Sequence, residues 1–140
     1  MKFKFFFLIS LFFSLLTQAT LSINDSHSKL NFFPESNEMS ANSENILTIE
    51  ISMDKGWHTY WINPGDSGDP ATFEWELPEG FQITGPIWPS PDKIPFPPLM
   101  TYGFDDQVIL PFVLKAPKII PKKFEICLLY TSPSPRDLST

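Results

Sequence analysis

A strict alternation of apolar and polar side chains runs through this chain and limits what it can fold into. Between Ile46 and Met53, the apolar residues Leu47, Ile49, Ile51 and Met53 are separated by polar ones. Residues two apart share one face of a strand, so this pattern predicts a half-buried β-strand. Trp57–Ile62 and Phe73–Leu77 are further strand candidates, and no amphipathic helical spacing follows Thr20. The sequence therefore predicts an all-β fold.

Prolines and glycines separate these segments. Asn63–Asp66 reads Asn-Pro-Gly-Asp, with Pro and Gly in the central positions of a type II turn, and predicts the end of the second strand. Residues 86–98 contain six prolines. Because proline lacks an N–H donor, we expect an ordered loop there, packed through Trp88 and Phe96.

Four shorter segments complete the expected pattern. An apolar cluster at Leu30–Phe33 predicts a first edge strand, and Phe81–Ile83 another short strand. Val108–Leu114 contains Pro111, which implies an edge position or a bulge, and Ile119-Ile120 would begin a further strand. Short strands and Pro/Gly turns in a chain of 140 residues predict one incomplete immunoglobulin-like β-sandwich, with a small β-barrel as the alternative.

The amino terminus has the three parts of a secretory signal. Met1–Lys4 is basic, Phe5–Leu16 is apolar apart from two serines, and Thr17-Gln18-Ala19 suits cleavage. The apolar run is about a dozen residues, whereas a membrane-spanning helix needs about 20. We expect a signal peptide at residues 1–19 and a mature domain in the periplasm of a Gram-negative type of bacterium.

The charge of the expected domain narrows its partners. From Thr20 to Ile126 there are seven Lys and fifteen Asp or Glu residues, a net charge of −8. Such acidity argues against binding to nucleic acid or to anionic membranes.

His58 is one candidate functional residue. With Asp66 or Asp69 beside it, His58 could act as a metal ligand or general base. The favoured interpretation is an ordinary strand histidine, because the other histidine, His27, lies in a polar segment and no second ligand has metal-site spacing. We therefore expect no metal and no cofactor.

Two other groups of side chains have functional and structural interpretations. Glu74 and Glu76 could form a glycosidase pair but more simply make the polar face of a strand. Five aromatic residues could stack on sugar rings or pack in the core: Trp57, Tyr60, Trp61, Trp75 and Trp88. Alternation would put Trp57 and Trp61 on the same side. The alternative function is accordingly a non-enzymatic β-sandwich module that binds sugars or a partner protein.

The final fourteen residues differ from the rest. Residues 127–137 resemble one reading frame of a transposase-type sequencing-library adapter, followed by the start of an index at 138–140. A natural disordered tail is the alternative. We expect residues 127–140 to be non-native and without a strand, and the domain to span residues 20–126 of a longer natural chain.

One long run identifies a family resemblance. Residues 56–70 read Gly-Trp-His-Thr-Tyr-Trp-Ile-Asn-Pro-Gly-Asp-Ser-Gly-Asp-Pro and resemble the amino-terminal domain of DsbD-type protein-disulfide reductases, including their copper-sensitivity branch. The likeness continues to about residue 126. The matching residues are Gly56, Trp57, His58, Tyr60, Trp61, Asn63, Pro64, Gly65, Asp66, Gly68, Pro70, Trp75, Trp88, Pro89, Tyr102 and Gly103.

The resemblance implies an immunoglobulin-like periplasmic domain with a cysteine pair. Such a domain receives electrons from a membrane-embedded partner domain and passes them to oxidised periplasmic thiol proteins, as in cytochrome c maturation or copper tolerance. Cys127, the only cysteine, stands near the position expected for the first thiol and is the candidate catalytic residue. No second cysteine follows, so we expect this chain to be inactive alone and the motif residues to be structural, with positive φ angles at Gly65 and Gly68.

Overall fold

The computed structural model describes residues 21–24, 27–36 and 38–132, and this part of the chain contains ten β-strands and no helix. The strands are β1 (Leu21–Asn24), β2 (Ser28–Pro34), β3 (Glu44–Met53), β4 (His58–Gly65), β5 (Thr72–Glu76), β6 (Gln82–Thr84), β7 (Asp92–Phe96), β8 (Leu99–Asp105), β9 (Gln107–Lys115) and β10 (Cys127–Thr131). The predicted signal peptide, residues 1–19, lies outside the described residues. None of the described segments is a helix long and apolar enough to cross a membrane.

The strands form three antiparallel sheets. The large sheet has the order β1-β2-β3-β9-β6, and two smaller sheets have the orders β4-β8-β7 and β10-β5. Phe112 of β9 meets the rings of Phe73 and Trp75 on β5 edge-on, with centroids 5.2 and 5.1 Å apart. Phe104 of β8 joins the same core cluster. The chain is thus an immunoglobulin-like β-sandwich, as predicted.

The alternation in β3 builds the centre of the large sheet. Ile49 and Ile51 have no exposed surface and lie opposite Leu110 and Val108 of β9. Burial of apolar side chains of this size contributes about 2 kcal/mol each, so this pair of strands is a major source of stability. The predicted strand and its buried face are confirmed.

The predicted edge position of the strand containing Pro111 is wrong. β9 lies between β3 and β6, although β6 pairs only with its last residues, from Val113. Pro111 comes two residues before Val113, where the pairing of β9 with β6 begins. On the side of β9 that faces β6, position 111 therefore needs no N–H donor. Its carbonyl instead accepts a hydrogen bond from the Ile87 N–H at 2.8 Å, so an inner strand can hold a proline here.

β2 is also not the edge strand that the sequence predicted. Leu30 of β2 is buried, and β2 lies between β3 and the amino-terminal strand β1. The four residues of β1 were too polar and too short to suggest a strand by themselves. The apolar cluster at Leu30–Phe33 therefore marks an inner strand.

The proline-rich segment is only in part a loop. Asp92–Phe96 forms the edge strand β7, which pairs with β8 alone. Pro95 is tolerated there because an edge strand has one side that needs no hydrogen-bond donors. Trp88 packs on Phe104, with parallel rings 6.3 Å apart, as predicted. Phe96, expected to pack, is 57 % exposed at the hairpin tip.

Two predicted features near the chain's turns are wrong. Asn63–Asp66 is not a type II turn: β4 continues to Gly65, and its pairing with β8 shifts register between Tyr60 and Gly65, as at a bulge. No strand begins at Ile119-Ile120, because the lysines and prolines around them break the alternation.

The tail prediction also needs correction, since Cys127–Thr131 forms β10, antiparallel to β5. Leu128 and Tyr130 pack against the main core, while Leu129 between them is exposed. Two alternating apolar residues are enough to complete the open side of β5. The strand exists because of this pattern, which the Ser-Pro composition after it obscured.

Candidate functional site

The longest motif of the chain folds around the ring of Tyr60. Tyr60, in β4, is 1 % exposed and contacts the edge of the His58 ring, with centroids 5.0 Å apart. Gly68 passes so close to the Tyr60 ring that a Cβ there would overlap it. Gly68 also has a φ of +91°, which favours glycine. The predicted positive φ angle is confirmed, and the close approach to Tyr60 adds a second reason for glycine.

Asp66 fastens this loop to the neighbouring hairpin. Its carboxylate accepts a hydrogen bond from the Met100 N–H at 2.8 Å, and its own N–H donates to the Met100 carbonyl at 3.0 Å. Gly65 has a φ of +88°, as predicted, and a Cβ there would lie 2.6 Å from the Met100 carbonyl oxygen. The motif residues Gly65 and Asp66 therefore hold the end of β4 against the start of β8.

Gly103 permits the close pairing of β4 and β8. It lies opposite Tyr60 in the ladder, and a Cβ there would overlap the carbonyl oxygen of Thr59. Tyr102 lines Gly65 from the same strand. These contacts give the family motif a structural role at one end of the sandwich.

His58 is a half-buried histidine at the start of β4. Burial lowers its pKa below the ordinary value of 6.5, and the charge of Asp105, opposite it in the ladder, opposes that shift. Asp66, suggested as its helper, is engaged with Met100 instead. Within the described ranges, no group of three His, Cys, Asp or Glu side chains could hold a metal ion. The geometry favours the structural interpretation of His58.

A stack of His27 on Trp57 was not anticipated from the sequence. The rings are 3.7 Å apart and nearly parallel, and His27 Nδ1 lies 3.3 Å from Asp54 Oδ2. Trp57 thus lies beside β2, whereas Trp61 packs against the main core. The expectation that both tryptophans share one side is wrong, because Trp57 precedes β4 and does not follow its alternation.

The remaining candidates are surface or packing residues. Trp75 and Trp88 pack against the main core like Trp61, so the five aromatic residues do not form one exposed platform for sugars. Glu74 and Glu76 are exposed on β5, as expected for the polar face of a strand. The other motif residues are exposed or half-buried in turns and strand ends: Gly56, Asn63, Pro64, Pro70 and Pro89.

Cys127 begins β10 at the far end of β5. Its thiol is exposed and free, and the residue lies opposite Glu76. A cavity of about 780 Å³ adjoins it, with mainly apolar walls. The walls include Phe32, Leu47, Trp75, Ile120, Phe124 and Leu128. An exposed thiol on a strand can meet a disulfide of another protein, but a single thiol cannot resolve the mixed disulfide that forms.

Comparison with known proteins gives a family and a fold. A family model described as thiol:disulfide interchange protein DsbD, N-terminal, matches residues 31–132. The crystal structure of the N-terminal periplasmic domain of ScsB from Proteus mirabilis matches with a TM-score of 0.53 and 20 % identity, covering 86 % of this chain and 54 % of that one. The chain therefore spans about half the length of that solved domain. No curated protein sequence matches the chain.

Proposed function

The chain belongs to the family of amino-terminal domains of DsbD thiol:disulfide interchange proteins, and on that premise we propose that it serves a periplasmic protein-disulfide reductase. In this role the domain accepts electrons from a membrane-embedded partner domain and passes them to oxidised periplasmic proteins. The family match over residues 31–132 is the observation that carries the proposal. The signal peptide predicted at residues 1–19 and the periplasmic origin of the ScsB domain support the compartment.

The proposed relay needs two thiols. One thiolate attacks a sulfur of the substrate disulfide, forming a mixed disulfide and releasing the first substrate thiolate. A second thiolate of the domain then attacks the mixed disulfide, releasing the second substrate thiol and leaving a disulfide in the domain. The membrane partner reduces that disulfide by donating two electrons, and two protons from solvent restore both thiols. The net result is transfer of two electrons to the substrate.

We propose that the catalytic pair follows Ile126 in the natural chain. Cys127 is the single cysteine of this sequence, and the adapter-like reading of residues 127–140 would make it foreign. The family match extends six residues into that segment, to residue 132. Any strand with alternating apolar residues at the position of β10 would extend the match in this way. A native strand bearing the pair would take the place of β10 beside β5, next to the apolar cavity. It would meet its substrates there.

Enzymatic assay of the natural full-length protein tests the proposal. We expect it to reduce a disulfide-linked substrate protein, with electrons supplied through its membrane partner, and to lose turnover when either cysteine is replaced by serine. Replacement of the resolving cysteine alone should trap a mixed disulfide that is visible on a non-reducing gel. A full-length protein that binds periplasmic partners without exchanging thiols would contradict the proposal.

The 140-residue chain provides a second assay. With one thiol, we expect no catalytic turnover and at most one mixed disulfide per chain, formed at Cys127. The Cys127→Ser variant should form none. Multiple turnovers by the 140-residue chain would contradict the requirement for a pair.

A further inference from the structure

The segment Lys115–Phe124, here named the basic loop, differs in charge from the rest of the domain. It contains four lysines and no acidic residue. Since residues 20–126 carry a net charge of −8, the part outside the basic loop carries −12. The lysines are Lys115, Lys118, Lys122 and Lys123, and all are exposed.

Specific contacts fix the two ends of the basic loop. At its start, the Ala116 N–H donates to the Ser43 carbonyl at 2.9 Å, and the Pro117 carbonyl accepts from the Asn42 N–H at 3.1 Å. At its end, the ring of Phe124 lies 4.7 Å from that of Phe81. The loop is therefore part of the folded domain rather than a loose connection.

The middle of the basic loop projects an apolar residue among the lysines. Ile119 is 83 % exposed, the highest value among the large hydrophobic residues described. Its neighbour Ile120 packs instead against the small core cluster around Phe81. Exposing Ile119 gives the domain no packing energy.

The described acidic residues near the basic loop do not form ion pairs with its lysines. Glu44 lies opposite Lys115 in the ladder. Glu125 follows Phe124 directly in the sequence, and Glu79 precedes Gly80, which lies close to Pro117. None of the four lysines forms an ion pair with a described residue. At physiological salt, exposed charges interact over about 8–10 Å. A surface that contacts the loop would therefore interact more strongly with the lysines than with acidic residues farther away.

We propose that the basic loop docks on the surface of an anionic phospholipid bilayer, which makes it a local exception to the expectation drawn from the net charge of the domain. The lysines would contact lipid phosphates while Ile119 enters the interface between headgroups and acyl chains, a division that suits basic segments with apolar residues. An apolar residue that projects between spaced lysines fits a deformable lipid surface better than a preformed pocket. The docking would hold the sandwich close to the membrane, and it does not depend on thiol chemistry.

Vesicle sedimentation with matched variants tests this proposal. The 140-residue chain would be mixed with vesicles of phosphatidylglycerol and phosphatidylethanolamine, or of phosphatidylcholine. The variant K118Q/K122Q/K123Q and the control K29Q/K55Q/K93Q each lose three positive charges. At about fivefold per lysine, we expect the loop variant to bind anionic vesicles roughly a hundredfold more weakly, and the control to stay near the wild type.

The apolar contribution has its own matched pair. Ile119→Ser should weaken binding several-fold, whereas Ile109→Ser, at another exposed isoleucine, should not. Residues 5–16 are common to all variants, so hydrogen–deuterium exchange supplies a local measurement. Exchange in residues 115–124 should slow on anionic vesicles and not on phosphatidylcholine.

Three results would overturn the proposal. The first is equal loss of binding in both triple variants, which would indicate net charge alone. The second is unchanged exchange in residues 115–124 on anionic vesicles. The third is loop-dependent binding of soluble polyglutamate as tight as that of vesicles, which would indicate an acidic protein partner instead.

Discussion

The loop around Tyr60 and the strand that begins at Cys127 lie in the same sandwich, but different kinds of information specify them. Around Tyr60, individual residues are required: Gly68 fits against the ring, and Asp66 bonds twice to Met100. In β10, only the alternation of Leu128 and Tyr130 is used. Contacts specific to one residue type can identify a family, whereas alternation identifies only a strand.

The comparison also separates fold from chemistry. The motif at residues 56–70 lies mostly in strand and loop packing, and burial explains the lowered pKa of its His58. The exposed thiol lies in a strand that packs through alternating apolar residues. In this domain the residues of the family motif therefore build a frame, and the candidate thiol lies outside the motif.

The largest expected effect tests the close packing at Gly68. Gly68→Ala places a methyl group in the Tyr60 ring at a positive φ, so we expect the free energy of unfolding to fall by about 3 kcal/mol. Gly56→Ala is the matched control, because Gly56 also has a positive φ but no atom within 4 Å of a Cβ. Its loss should be about 1 kcal/mol, and chemical denaturation measures both. Equal losses would show that packing on Tyr60 is unimportant.

A smaller effect is expected where Asp66 holds the hairpin. Asp66→Ala removes the carboxylate that accepts the Met100 N–H, and because the site is exposed we expect a loss of about 1 kcal/mol. Asp69→Ala is the control, since Asp69 forms no hydrogen bond or ion pair with any described residue. Thermal unfolding compares the two. A larger loss in the control would contradict the assigned role of Asp66.

The pH dependence of stability tests the environment of His58. Its folded pKa lies below the unfolded value of 6.5 because burial disfavours the charged ring. The unfolded chain therefore binds the proton first as the pH falls, and the stability present above pH 6.5 is lost as the pH falls through the folded pKa. His58→Gln should lose less stability than the wild type over that acidic range. An identical pH dependence in both proteins, followed by denaturant unfolding, would exclude this shift.

The smallest expected effect is at the exposed thiol. Cys127→Ser should change the free energy of unfolding by no more than about 0.5 kcal/mol, since the residue is exposed. Denaturant unfolding under reducing conditions measures it without interference from intermolecular disulfides. A loss as large as that of Gly68→Ala would show that β10 is specified residue by residue, and the contrast between the two regions would disappear.

Local patterns in the sequence predicted the parts of the fold that depend on nearby residues. The alternation in Ile46–Met53 and the glycines at 65 and 68 needed no knowledge of distant partners. The Asp66–Met100 bond and the His27–Trp57 stack join residues about thirty positions apart, and no short pattern encodes such a pairing. The candidate thiol itself was found only through the family resemblance.

Proline misled the interpretation in two places for the same physical reason. Pro95 and Pro111 both lie within strands, at positions where one side of the backbone needs no donor. A sequence shows that the N–H is missing but does not show which neighbour would have used it. The prolines of residues 86–98 thus predicted a loop where the edge strand β7 forms, and Pro111 predicted an edge where the inner strand β9 forms.

The central claim, that this is the frame of a thiol-exchange domain whose reactive pair follows Ile126, can be tested directly by reading the source DNA past the codon for Ile126. The account predicts a continuation that differs from residues 127–140 and contains two cysteine codons soon after that point. Source DNA that encodes residues 127–140 as they stand, or that continues without cysteine codons, would contradict the account. It would leave a β-sandwich that functions through binding alone.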